Sequence, residues 1–151
     1  MSVLSRTRLR ASAVLLALLT SLGLVGSITP AQAATTYQNR IVIEASHHAG
    51  KPYQYGATGP SPFDCSGFTK YVFARMGKTL PRSSSQQYAA VRHIPKASKQ
   101  IGDLIFIKNS SGRIYHVGIY AGGGYWWHAP KSGDVVKKAK IWTSSYVVGR
   151  R

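Results

Sequence analysis

The chain changes character part-way along, and that change limits the possible folds more than any other feature. Leu104-Ile105-Phe106-Ile107 is an unbroken apolar run that reads as a buried strand. A turn at residues 109–112 follows. Residues 114–120 and 125–129 then read as strands around Gly122-Gly123-Gly124. After a turn at residues 131–133, Val135-Val136 and Tyr146-Val147-Val148 are further strand candidates. Before residue 92 the spacing is helical. Ile41, Val42 and Ala45 mark a helix over residues 37–49, stopped by Gly50-Lys51-Pro52. A loop rich in Gly, Pro and Ser covers residues 56–62. A second helix begins at or just before Cys65, with Asp64 as N-cap, Phe68, Tyr71 and Val72 inward, and Gly77 at its end. Residues 83–91 predict a shorter helix. Helices first and strands afterwards predict an α+β domain, with helices packed on one face of an antiparallel sheet.

The first residues predict export. Arg6, Arg8 and Arg10 precede an apolar stretch over residues 11–25, and Ala31-Gln32-Ala33 matches a small-x-small cleavage site. Residues 1–33 therefore read as a secretory signal peptide cut before Ala34. The apolar stretch is short for a membrane span, which needs about 20 residues. Residues 34–151 suit one domain with one core. That part is strongly basic: 20 − 3 = 17 Lys and Arg stand against 4 acidic residues, a net charge of +13. Such a surface attracts polyanions. For an exported protein, anionic cell-wall polymers are nearer partners than nucleic acid, and no specific nucleic acid is expected. The charge is spread along the chain, with Lys137-Lys138-Ala139-Lys140 as its one local cluster.

The single cysteine, Cys65, lies in Phe63-Asp64-Cys65-Ser66-Gly67-Phe68. One cysteine cannot close an internal disulfide, and in an exported chain an odd thiol points to use rather than storage. At a helix N-terminus, beside an imidazole, its pKa is expected to fall. The N–H groups there could hold an oxyanion, and Gly67 leaves room for a substrate backbone. Two histidines lie downstream, in His116-Val117-Gly118-Ile119-Tyr120 and Trp127-His128-Ala129-Pro130. A hairpin centred on Gly122 predicts that His116 faces His128, Gly118 faces Trp126 and Tyr120 faces Gly124. Opposed residues share a sheet face with Cβ atoms roughly 4.5–5.5 Å apart. His128 could then hold the His116 ring while His116 faces the thiol. Trp126 and Trp127 should point to opposite faces, one into the core and the other toward the cleft. His47, His48 and His93 are given no role. No His-Glu-x-x-His or Cys-x-x-Cys spacing suggests a metal site.

Several segments together resemble the NlpC-type cell-wall peptidases, papain-like cysteine enzymes. They are Pro52-Tyr53-Gln54-Tyr55-Gly56, the Cys65 segment, Leu80-Pro81-Arg82-Ser83, Ile101-Gly102-Asp103-Leu104-Ile105-Phe106, the His116 segment and His128-Ala129. The resemblance runs from about residue 45 to about residue 148 and departs at Ala57, where the family usually has a second glycine. It implies a papain-like α+β fold with Cys65 as nucleophile, His116 as base and His128 as orienting residue. It also implies substrate contacts from Tyr53, Asp64, Ser66, Arg82 and Ser83, with Asp64 and Ser66 reading the amino end of a short peptidoglycan stem. The implied reaction cuts the bond from the D-glutamate γ-carboxyl to the following diamino acid, through a thioester and without a cofactor. The expected protein is a secreted or wall-associated monomer acting on stem peptides. Two alternatives compete: another thiol amidase or acyltransferase on this fold, such as an N-acetylmuramoyl-L-alanine amidase, or an inert basic wall-binding protein.

Overall fold

The computed structural model describes residues 26–27 and 29–151. The basic and apolar parts of the expected signal segment lie outside the described residues. Among the described residues three α-helices, α1 (Pro30–Ser46), α2 (Cys65–Arg75) and α3 (Ser84–Ala89), precede all strands of the sheet. Its strands are β1 (Arg92–Ile94), β2 (Leu104–Lys108), β3 (Ile114–Gly122), β4 (Tyr125–His128), β5 (Lys137–Lys140) and β6 (Tyr146–Arg150). They form a six-stranded antiparallel sheet in the order β1-β6-β2-β3-β4-β5.

Helix α1 starts earlier than the apolar spacing suggests. Thr29 and Gln32 close a capping box around Pro30, a start signal independent of periodicity. The helix also ends at Ser46, short of residue 49. Helix α2 begins at Cys65 because the Asp64 side chain accepts from Gly67 N at 2.7 Å. Gly77, at φ 76°, follows its last turn. Helix α3 is shorter than expected, since the chain leaves it to pair β1 with β6.

Alternation along the strands divides the apolar residues between two faces. Leu104, Phe106, Val117 and Ile119 pack with Phe63, Phe68, Val72 and Phe73 into the main core between helices and sheet. Each such fully buried side chain contributes about 1.5–3 kcal/mol. Ile105, Ile107, Trp126 and Val148 form a smaller core on the other face, joined by Tyr120, Ile141 and Tyr146. Asp103, completely buried, accepts from Arg150 Nε at 2.6 Å and Nη2 at 2.8 Å, and from Gln100 N at 2.7 Å. This ties the entry to β2 to the end of β6.

Two strand expectations change. Val135-Val136 lies outside the sheet: Val136 exchanges hydrogen bonds with Gly50 and Lys51, and Val135 bridges Pro52. The fifth strand is instead the basic run, exposed at Lys137, Lys138 and Lys140. Lysines on an edge strand discourage pairing with another chain. In the hairpin, Ile119 pairs Trp127 and Tyr120 pairs Trp126, with a bulge before Gly122 pairs Tyr125. The register is two residues from the expected one. Since side chains alternate with period two, a shift of two keeps every residue on its face. Gly118 now stands opposite His128; a Cβ there would lie 3.0 Å from His128 Cβ and 2.6 Å from the Trp126 ring.

Candidate active site

Cys65 sits at the first position of α2, where backbone N–H groups lack helical partners. The loop before it is pinned by Gln54 N to Phe63 O at 2.9 Å, Phe63 N to Pro52 O at 3.1 Å and Asp64 N to Ala57 O at 2.9 Å. A Cβ on Gly67 would lie 2.1 Å from Ala57 O. Gly67 therefore makes room for this loop's own carbonyl, not for a substrate backbone. The Asp64 carboxylate accepts from Gly67 N, from Gly56 N at 2.9 Å and from both terminal nitrogens of Arg82. Arg82 also donates to Ser66 Oγ at 2.9 Å. Ser83 caps α3 in a reciprocal box with Gln86. Gln87, fully buried, accepts from Thr69 Oγ1 at 2.7 Å and donates to Ser66 O at 2.9 Å and Pro81 O at 3.0 Å. It fixes α2 against the segment that carries Arg82.

The two histidines meet as diagonal neighbours on β3 and β4. His116 Nε2 and His128 Nδ1 are 2.9 Å apart, and both residues are buried. His128 stacks on Trp126, with ring centroids 4.6 Å apart. Trp126 is fully buried on the histidines' face, while Trp127 packs against the main core on the other. Neither opens the cleft. That place goes to Trp142, half exposed beyond β5, with its ring 5.7 Å from His116 and 5.5 Å from His128. No periodicity in the sequence marks it.

The cleft has two halves that share Cys65, Tyr53 and Tyr115. One cavity, about 470 Å³, is lined by Cys65 with His116, His128, Lys131, Lys137 and Trp142. The other, about 410 Å³, is lined by Cys65 with Asp64, Ser66, Arg82 and Ser83. All eight residues singled out from the sequence thus line one cleft. A larger hollow of about 660 Å³ lies among residues 26–36, far along the chain from these groups, and holds no titratable side chain.

The electrostatics differ from expectation at the thiol. Burial pushes the Cys65 pKa up, and the Asp64 carboxylate adds to this; backbone N–H groups of Val117 and Ser66 pull the other way without prevailing. Burial lowers His116 to about 4 and His128 to about 3, His128 also by the neighbouring His116 charge. These shifts favour a protonated thiol beside neutral imidazoles over a preformed ion pair. The helix N-terminus alone is outweighed by desolvation. We therefore expect iodoacetamide to alkylate Cys65 more slowly than free cysteine at pH 6–7, with the rate climbing on the alkaline side. Faster alkylation than free cysteine at mildly acidic pH would restore the thiolate.

Residues 50–151 match the NlpC/P60 family. The chain is 50% identical over 93 residues to the probable endopeptidase p60 of Listeria seeligeri, covering 62% of this chain and 18% of that protein. It is 34% identical over 110 residues to the bifunctional muramidase/DL-endopeptidase CwlT of Bacillus subtilis, covering 71% and 33%. The chain thus spans about a fifth to a third of the length of these two relatives. Among solved structures it is similar to the peptidoglycan hydrolase RipB of Mycobacterium tuberculosis (TM-score 0.69, 31% identity, 81% of this chain and 68% of that one). It is also similar to the NlpC/p60 domain of the peptidoglycan hydrolase SagA (TM-score 0.69, 36% identity, 76% and 98%).

Proposed function

Because the chain belongs to the NlpC/P60 family, with its papain-like α+β fold, we propose that it is a secreted cysteine endopeptidase of peptidoglycan stem peptides. The bond cut is the one from the D-glutamate γ-carboxyl to the following diamino acid. One observation carries this reading: a thiol at a helix N-terminus shares a cavity with a buried, hydrogen-bonded histidine pair.

With His116 Nε2 held by His128, Nδ1 is the ring nitrogen available to take the thiol proton. That role requires the proton on His116 Nε2, donated to His128 Nδ1. His128 then carries its own proton on Nε2, a buried atom without a partner among the described residues. As the Cys65 proton moves to His116, sulfur attacks the γ-carbonyl carbon, and the Cys65 N–H at the start of α2 faces the developing oxyanion. His128 Nδ1 stabilises the imidazolium. The carbon–nitrogen bond breaks, His116 returns its proton to the leaving amine, and a thioester remains. Water, deprotonated by His116, releases the acid. Asp64 and Ser66 receive the amino end of the stem, with Arg82, Ser83 and Tyr53 beside them.

Mass spectrometry of muropeptides incubated with residues 34–151 tests this. Products split after D-glutamate support it; release of an intact stem from the sugar indicates an amidase, and no product indicates an inert binder. The charge of +13 on residues 34–151 makes wall association largely electrostatic. Near 1 M salt the Debye length falls to about 3 Å. Binding to sacculi, read by pull-down, should then be lost, while cleavage of small soluble muropeptides changes little. Salt-insensitive binding would mean that specific contacts, not the basic surface, hold the wall.

A further inference from the structure

We infer that a basic groove on the sheet face away from the helices, distinct from the catalytic cleft, binds a polyol-phosphate chain, the phosphodiester polymer of a bacterial wall. The groove encloses about 420 Å³. Tyr120 of β3 and Tyr146 of β6, both packed on the smaller core, form its floor. Residues 141–146 make one wall. That wall is pinned by Ile141 N to Gly124 O at 2.9 Å and by Lys108 N to Ser145 O at 3.0 Å. Lys96 donates to Ser144 O and lies over the Tyr146 ring, 4.5 Å from its centroid. Lys99 lies over Tyr120 at 5.4 Å, and Lys140 of β5 completes the lining.

These cations have no counter-charge in the protein. The chain has 4 acidic residues, and each is engaged elsewhere: Glu44 with Arg75, Asp64 with Arg82, Asp103 with Arg150 and Asp134 with Lys137. Lys96, Lys99 and Lys140 make no salt bridge among the described residues. Such a site attracts an anion. Lys99 comes from the segment joining β1 to β2 and Lys140 from the β5 edge, which suits a chain crossing the groove better than a single ion. The lining also chooses among polyanions. Single-stranded nucleic acid binds by stacking its bases on aromatic faces. Here the Tyr120 and Tyr146 rings are packed on the smaller core and capped by ammonium groups. What remains are donors. Besides the lysines, Thr143 Oγ1 accepts from Ser145 N at 3.0 Å and so keeps its own proton to give. Donors without free stacking faces match the oxygens of a phosphodiester. The export expected from the first residues brings wall polymers within reach. Trp142 lines both this groove and the histidine-side cavity, so a bound chain holds the mouth of the cleft against the wall.

The test uses the Cys65→Ala protein, so that the result does not depend on which bond is cut. Calorimetric titration with poly(glycerol phosphate) at low salt should show binding. Lys99→Gln together with Lys140→Gln should weaken it on the order of tenfold. Lys70→Gln together with Lys78→Gln removes the same charge from α2 and the turn after it, on the helix side of the sheet. That control should change the affinity less than about twofold. Circular dichroism checks that both variants fold. No binding by the parent protein, or equal weakening by the two pairs, would overturn the inference and leave the endopeptidase reading untouched. A single-stranded oligonucleotide with the same number of phosphates serves as the competing ligand. If it bound more tightly than the polyol phosphate and lost that binding with Lys99 and Lys140, the groove would belong to nucleic acid and the wall-polymer assignment would fall.

Discussion

Cys65→Ala should abolish stem-peptide cleavage, with kcat/KM falling on the order of 10⁴–10⁶-fold, because the chain has no second thiol to form the thioester. The fold should survive. Cys65 lies at the edge of the main core, and α2 is started by Asp64, not by the thiol. The circular dichroism spectrum should match wild type, and melting should shift by no more than a few degrees. Sacculus binding should be unchanged, since it depends on the basic surface. Muropeptide mass spectrometry reads the loss. A Cys65→Ala protein that still cut between D-glutamate and the diamino acid would remove the thiol from the mechanism.

The histidines should separate in size of effect. His116→Ala removes the proton acceptor, and the rate should drop on the order of 10³-fold or more, toward the Cys65→Ala level. His128→Ala leaves the base in place but lets its ring turn, so a loss on the order of 10–100-fold is expected. His128→Asn should recover more of it than His128→Gln. Asparagine Oδ1 branches from Cγ just as histidine Nδ1 does, so it can accept from His116 Nε2 at nearly the observed 2.9 Å. The pH profile gives an independent readout. With the His116 pKa at about 4, the free protein keeps its base unprotonated through mildly acidic pH. The acid limb of kcat/KM should therefore lie near pH 4, and rates should hold between pH 7 and pH 5. An acid limb near 6.5, the ordinary imidazole value, would mean that the base is not the buried His116. If His128→Ala behaved as wild type, the orienting role would be lost.

Much of this site was legible because its determinants are local. Asp64 is a capping residue three positions before Gly67, so the start of α2 at Cys65 follows from short-range hydrogen bonding. His116 and His128 share a face because strand side chains alternate, and that parity survives the two-residue error in register. The error arose at the Gly122-Gly123-Gly124 turn. All three glycines adopt positive φ, and a bulge moves the centre of the hairpin. A glycine run marks a turn without saying where the bulge falls.

Solvent exclusion was not legible. The dipole argument at α2 foresaw a depressed thiol pKa, but burial depends on everything packed around Cys65, and it wins. The role of Gly67 depends on Ala57, ten residues away across a folded loop. Lys137–Lys140 has the composition of a solvated turn, yet it becomes a strand because the free edge of β4 offers hydrogen bonds. Trp142 enters the cleft only because that strand carries the chain back past the histidines, and Lys131 because it lies in the turn between β4 and β5.

The sequence by itself therefore determined the helices and the strands of the central hairpin, the capped start of α2 at the cysteine and the face on which the two histidines stand, all through periodicities and caps a few residues long. Only the tertiary structure decided the hairpin register, the burial that shifts the thiol and imidazole pKa values, and which side chains line the two halves of the cleft. Each of these depends on which distant segments exclude water from, or lend hydrogen bonds to, a given residue.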